Sequence, residues 1–180
     1  MNANIIQAQE WIAQADAILI GASNGLSIAE GYHIFANNEM FRRQFGDMQQ
    51  QYGFRNVVEG EKSGFDEKRI FEIEGVMTDL FAEPDHKKEA LLHRFLAKYS
   101  GKNLVILELG IGPRNRLIKL PIMQLAYREP NAKYITLNMP QEFYIPEEIA
   151  EKSVGIAGDI AQSLKELIQI HYLYTRNQNK

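Results

Sequence analysis

The chain has 180 residues, 45% of them hydrophobic, and a formal net charge of -3, with room for one core, so a single domain over residues 1–180 is expected. It contains no cysteine, which removes disulfides and thiolate metal sites, and its basic residues are scattered among acidic ones, leaving no footprint for nucleic acid. No apolar run approaches the ~20 residues that span a bilayer, and Met1-Asn2-Ala3-Asn4 lacks the basic start of a secretory signal, so the expectation is a cytoplasmic chain with no membrane partner.

From Ile5 to Ala15, apolar residues at Ile5, Ile6, Ala8, Trp11 and Ile12 predict a helix packing one face beneath the first strand. Ala17 to Ile20 is a short apolar run, the pattern of a strand buried on both faces in a parallel sheet. It ends abruptly. Gly21, Ala22, Ser23, Asn24 and Gly25 are small or turn-forming, and Leu26-Ser27-Ile28-Ala29-Glu30 can open a helix. Strand, small-residue turn and helix start put unshielded backbone N–H groups at the positive end of a helix dipole, a geometry suited to phosphate. The dinucleotide fingerprint G-x-G-x-x-G is not met, because the glycines fall at Gly21, Gly25 and Gly31, and a tight turn with no ligand explains these residues equally well.

Phe41, Phe45, Met48 and Tyr52 then recur at helical spacing, predicting an amphipathic helix capped at Asn37 or Asn38 and stopped by Gly53. Such a stripe is more often core than ligand box. Val57 to Asp66 reads as a polar turn, and Arg69 to Glu74 as a short strand. Asp85 is a candidate N-cap for a helix carrying Leu91, Leu92, Phe95, Leu96 and Tyr99 and ending at Gly101. Asn103 to Leu109 fits a central parallel strand, and Gly110 to Arg116 follows as a loop at its carboxyl end, expected to share a crevice with Gly21 to Gly25. Pro146-Glu147-Glu148 reads as a first helical turn and Val154 to Ala157 as a short strand. Gly158-Asp159 opens a closing helix with Ile160, Leu164, Leu167, Ile168 and His171 on one face, Asp159 being explained by an N-cap role. His33, His86, His93 and His171 read as surface residues, and no metal site is expected. Strands alternating with helices predict an α/β fold, a Rossmann-like three-layer α/β/α domain with a mostly parallel sheet.

Two blocks carry a family resemblance. Gly25-Leu26-Ser27, Gly31 and Phe35 match the frame of the G-A-G-x-S-x-x-x-G loop of sirtuins and the Phe that follows it, and Leu107 to Gly112 with Ile118 to Pro121 resemble the L-E-L-G-x-G and I-K-x-P pattern of their macrodomain-linked microbial branch. The resemblance implies an NAD cofactor and NAD-dependent protein ADP-ribosyltransferase or deacylase chemistry. It places Gly21, Ala22, Ser23, Gly25, Leu26, Ser27 and Phe35 around the diphosphate side, Gly110 and Gly112 near the adenosine ribose, and Asn138 and Asp159 at the adenosine end. Glu74-Gly75 stands where the family carries His-Gly, which would make Glu74 the general base; a solvated strand-end residue is the other reading. Without cysteine the family's zinc ribbon cannot form, so the small zinc module is absent. The family's Gln-Asn-x-Asp motif has no counterpart between Gly53 and Arg69. That leaves open a catalytically inactive relic that binds NAD or ADP-ribose as a sensor or partner subunit. A protein acceptor or partner chain is the expected company, and the sheet edge exposed by the missing strand makes a homo-oligomer possible.

Overall fold

The structure is a computed structural model and describes residues 2–29, 31, 33, 35–57, 59 and 86–168. The described residues fall into two compact units, one drawn from Met1–Leu26 and Ala90–Lys180, the other from Ser27–Glu89. The predicted strand Arg69 to Glu74, the proposed cap Asp85 and His171 lie outside the described residues.

The first unit is built on a parallel sheet of four strands in the order β1-β2-β3-β4. These are β1 (Ala17–Ala22), β2 (Leu104–Leu109), β3 (Lys133–Asn138) and β4 (Ser153–Ala157). Ile20 pairs with Leu107, Leu107 with Ile135, and Ile135 with Val154. All six residues of β2 are buried. Its Leu, Val and Ile side chains each contribute about 2 kcal/mol of hydrophobic stabilisation by leaving water. The nearly continuous apolar run, the mark of a central parallel strand, is borne out.

β1 departs from expectation. It was expected to be buried on both faces, yet Ile18 is 41% and Ile20 59% exposed. Among the described residues β1 is an edge strand, so its alternate side chains are covered on one face only. A four-residue apolar run is the same string of letters for a covered strand and a half-covered one.

Parallel neighbours need crossovers, and a right-handed crossover repeated in one direction keeps delivering its connection to the same face. The connections here are α4 (His86–Tyr99) before β2, α5 (Arg116–Arg128) before β3, and a 3-10 turn Glu147–Lys152 before β4. Their apolar residues Ile122, Met123, Ala126 and Ile149, with Phe95 at the margin, pack against Leu104, Ile106 and Tyr134 in one cluster. Helix α1 (Ala3–Ala13) starts at Ala3 rather than Ile5, because Asn2 caps it, its Oδ1 accepting from the Asn4 amide at 3.0 Å. It packs on β4, where Asn4 Nδ2 donates to the Gly155 carbonyl at 2.7 Å. Residues 160–168 are helical; Gln9 Nε2 of α1 donates to the Glu166 carbonyl there at 3.0 Å. Helix α2 (Asn24–Ala29) is only six residues long.

In the second unit α3 (Glu39–Tyr52) begins and ends as its sequence predicts. The Asn38 Oδ1 accepts from the Phe41 amide at 2.8 Å, and Gly53 closes the helix at φ 76° in the left-handed region. Phe41 and Phe45 are buried, but Tyr52, expected in the same stripe, is exposed. The left-handed turn at Gly53 reverses the chain and Phe54 takes that place, its ring 5.8 Å from Phe41 and 6.4 Å from Phe45. Among the described residues no helix is long and apolar enough to cross a membrane.

Candidate functional site

An all-parallel sheet delivers every strand's carboxyl end to one rim, so the segments after β1, β2, β3 and β4 meet there whatever their separation in sequence. Backbone bonds stitch this rim together. The Ser23 amide donates to Leu109 O at 3.3 Å and the Gly25 amide to Gly110 O at 3.2 Å. Gly110 N in turn donates to Leu137 O at 2.9 Å, and Gly158 N to Asn138 O at 3.0 Å. Between the first two turns Asn115 Nδ2 also donates to Ser23 Oγ at 2.9 Å.

The approach of the turns after β1 and β2 requires glycine on both sides. A Cβ on Gly25 would lie 2.5 Å from Gly110 Cα, and a Cβ on Gly110 would lie 2.5 Å from Gly25 Cα. Gly110 also sits at φ 63°, a conformation in which a side chain is strained. The expected meeting of these two turns at one rim is therefore present.

The predicted site residues reach different places. Gly21 and Ala22 close β1, and Leu26 follows the turn half-buried, its amide donating to Ser23 O at 2.9 Å. Ser27 and Phe35 belong to the second unit, where Phe35 is exposed with its ring 6.3 Å from that of His33. Gly112 lies beside Glu142, whose Oε2 would be 2.7 Å from a Cβ there; Arg114, 3.9 Å from Glu142 Oε1, offsets that carboxylate's charge. Asn138 is buried at the end of β3, its Nδ2 donating to Ile111 O at 3.2 Å and its Oδ1 accepting from Met139 N at 3.0 Å. Asp159 caps the helix that follows, its Oδ1 accepting from Gln162 N at 2.8 Å. Glu74 lies outside the described residues.

The amides of the β1 turn were expected to be unshielded. Those of Ser23 and Gly25 instead bind the neighbouring turn, because adjacency to β2 puts carbonyls within their reach. By contrast, among the described residues the Gly112 amide finds no backbone acceptor. Nearby, α5 starts at Arg116 after Asn115, whose side chain makes no cap bond.

Sequence reasoning missed the most heavily buried polar group of this unit. Glu108 on β2 is 0% exposed and Lys119 on α5 2% exposed, and their Oε1 and Nζ are 2.6 Å apart. Thr136 Oγ1 donates to the same Oε1 at 2.9 Å, the Tyr134 hydroxyl donates to Oε2, and Lys119 Nζ also donates to Ile111 O at 3.2 Å. One signal was available: a glutamate inside a continuous apolar strand must find donors or it cannot be buried.

Burial, and then the charge of Glu108, push the Tyr134 phenol well above its ordinary value. A raised folded-state value means the stabilisation is complete below the unfolded tyrosine's pKa of about 10 and is lost as pH climbs from there towards the folded value. Tyr134→Phe is expected to lose about 2 kcal/mol at neutral pH, the worth of a hydrogen bond to a charged group. It should also flatten the fall in stability above pH ~10. Urea unfolding of both proteins at neutral and alkaline pH measures the two effects, and equal alkaline slopes would refute the second.

No protein-family model matches the chain, and no curated protein matches it.

Proposed function

We propose that this chain is a sirtuin-like NAD-binding protein, with its carboxyl rim taking the ADP-ribose part of the cofactor. The observation that supports it most is the backbone contact of Gly25 with Gly110, which brings the turns after β1 and β2 together at the rim where a parallel sheet presents its loops. The residues fit a nucleotide in part. Gly112 offers an amide without a backbone acceptor among the described residues and Asn138 a second N–H on Nδ2 beyond the one given to Ile111, while the Glu142 carboxylate beside Gly112, near Arg114, suits a ribose hydroxyl there better than a phosphate. The fold this reading implies has three layers, with α4 and α5 over one face of the sheet and α1 and residues 160–168 over the other. The same reading takes the chain to be cytoplasmic.

When bound, NAD would supply a ribose carbon made electrophilic by its nicotinamide leaving group. In the enzymatic form of the proposal, Glu74 would be the base for the ribose hydroxyl, and the product would be an ADP-ribosylated or deacylated protein. The alternative is a relic that binds NAD or ADP-ribose without turnover. The missing counterpart of the Gln-Asn-x-Asp motif between Gly53 and Arg69 favours it, since that motif serves the nicotinamide side and not the ADP-ribose side. Either form accommodates a partner chain or a second copy of this one.

Calorimetry with NAD and ADP-ribose, followed by an assay for released nicotinamide, separates these forms. With ligand at about 100 times its Kd, unfolding should become about 2.7 kcal/mol harder. Release abolished by Glu74→Ala supports the enzyme, binding without release the relic, and no binding of either ligand rejects both.

A further inference from the structure

The buried ion pair bears on the rim through one carbonyl. Ile111 O accepts from Lys119 Nζ at 3.2 Å and from Asn138 Nδ2 at 3.2 Å, and Ile111 itself is fully buried. A trans peptide is planar with its C=O and N–H opposed, so a carbonyl drawn inwards turns the next amide, that of Gly112, outwards. Like those of Ile111 and Arg114 in the same turn, that amide has no backbone acceptor among the described residues. Lys119 is kept in reach by Glu108, which Thr136 and Tyr134 hold in turn.

We propose that Lys119 and Glu108 are positioning residues for a nucleotide ligand: the pair fixes the Ile111 carbonyl and so presents the Gly112 amide to a ribose oxygen of ADP-ribose. The inference rests on the nucleotide reading for its ligand but not for its effect on the turn. The pair does not touch the ligand. Its contribution is the orientation of a peptide that would otherwise have two faces open to choose from, which is a gain in preorganisation.

The test compares three proteins by ADP-ribose calorimetry and by amide hydrogen exchange without ligand. Glu108→Gln with Lys119→Met removes both charges together, avoiding an unpaired ion, and takes one donor from Ile111 O. Tyr134→Phe weakens the cluster but leaves that donor, and so serves as the control for general destabilisation. The double variant should bind ADP-ribose about tenfold more weakly and exchange the bonded amides of Gly110 and Asn115 about tenfold faster, while Tyr134→Phe stays within about twofold on both. Wild-type affinity and exchange in a folded double variant overturn the inference, as does an equal loss in Tyr134→Phe. If the wild type binds no ADP-ribose, the nucleotide reading fails and the exchange result decides the positioning claim alone. If the double variant does not fold, Asn138→Ala removes the other donor to Ile111 O and leaves Lys119; exchange within about twofold of the wild type supports the claim, and a rise of about tenfold makes Asn138 the anchor and overturns it.

Discussion

Alanine at Gly110 should lower the unfolding free energy by about 3 kcal/mol, one part from holding a side chain at positive φ and one from forcing a Cβ into packed backbone. The second part is decided by what the Cβ meets. At Gly110 it would lie 2.5 Å from Gly25 Cα and 2.7 Å from Gly25 C, main-chain atoms of a turn tied to its neighbour at Ser23 and Gly25. The Ile160 Cδ1, also 2.7 Å away, can swing aside, but the two main-chain atoms cannot. Gly21 offers the contrast, because its Cβ would meet the terminal methyl of Ile122 at 2.3 Å, a side-chain end that can change rotamer, and Gly21 has no positive φ. Gly21→Ala should therefore cost only about 1 kcal/mol despite the shorter distance. For a chain of this size the Gly110 variant should melt roughly 10 °C lower, and the Gly21 variant within about 4 °C of the wild type. Thermal melts of the three proteins decide it: equal losses, or a larger one at Gly21, would mean the two turns are not in rigid contact.

The parts of this fold that were legible in the sequence are those whose determinants lie within one turn of each other. Asn38 and Gly53 bracket α3 because a cap bond spans three residues and a left-handed stop needs only the glycine. Gly101 at φ 73° ends α4 for the same reason, and Asp159 caps the segment after β4. β2 announces itself because a central parallel strand must be apolar on both faces. What was not legible depends on neighbours supplied by topology. The exposure of Ile18 and Ile20 follows from β1 standing at an edge, and the engagement of the Ser23 and Gly25 amides follows from which strand lies beside β1. Asn138 suits a ribose contact as a strand-end asparagine, yet its amide turns to Ile111, which is 27 positions away in the chain. Phe54 displaced Tyr52 from the aromatic cluster through a turn whose direction the stripe alone does not encode.

The largest loss of stability is expected from Lys119→Met, about 4 kcal/mol, because it strands the fully buried Glu108 carboxylate without its cation. Thr136 and Tyr134 still donate to that carboxylate, and they hold the figure below the cost of a bare buried ion. Adding Glu108→Gln should recover most of the loss. Glutamine keeps an acceptor for the Tyr134 hydroxyl and offers its amide to Thr136 Oγ1, so no charge and few polar groups remain unmet. A double-mutant cycle by urea unfolding should then give a coupling of about 3 kcal/mol between positions 108 and 119. Additive losses would show that the two side chains do not depend on each other, and the role given to Lys119 at the Ile111 carbonyl would lose its support. If instead the uncharged pair restores stability, a buried salt bridge is not needed to keep this sheet folded. Its presence at the base of the Gly110–Gly112 turn then has to be explained by the geometry it imposes there, since an uncharged core would serve the fold equally well.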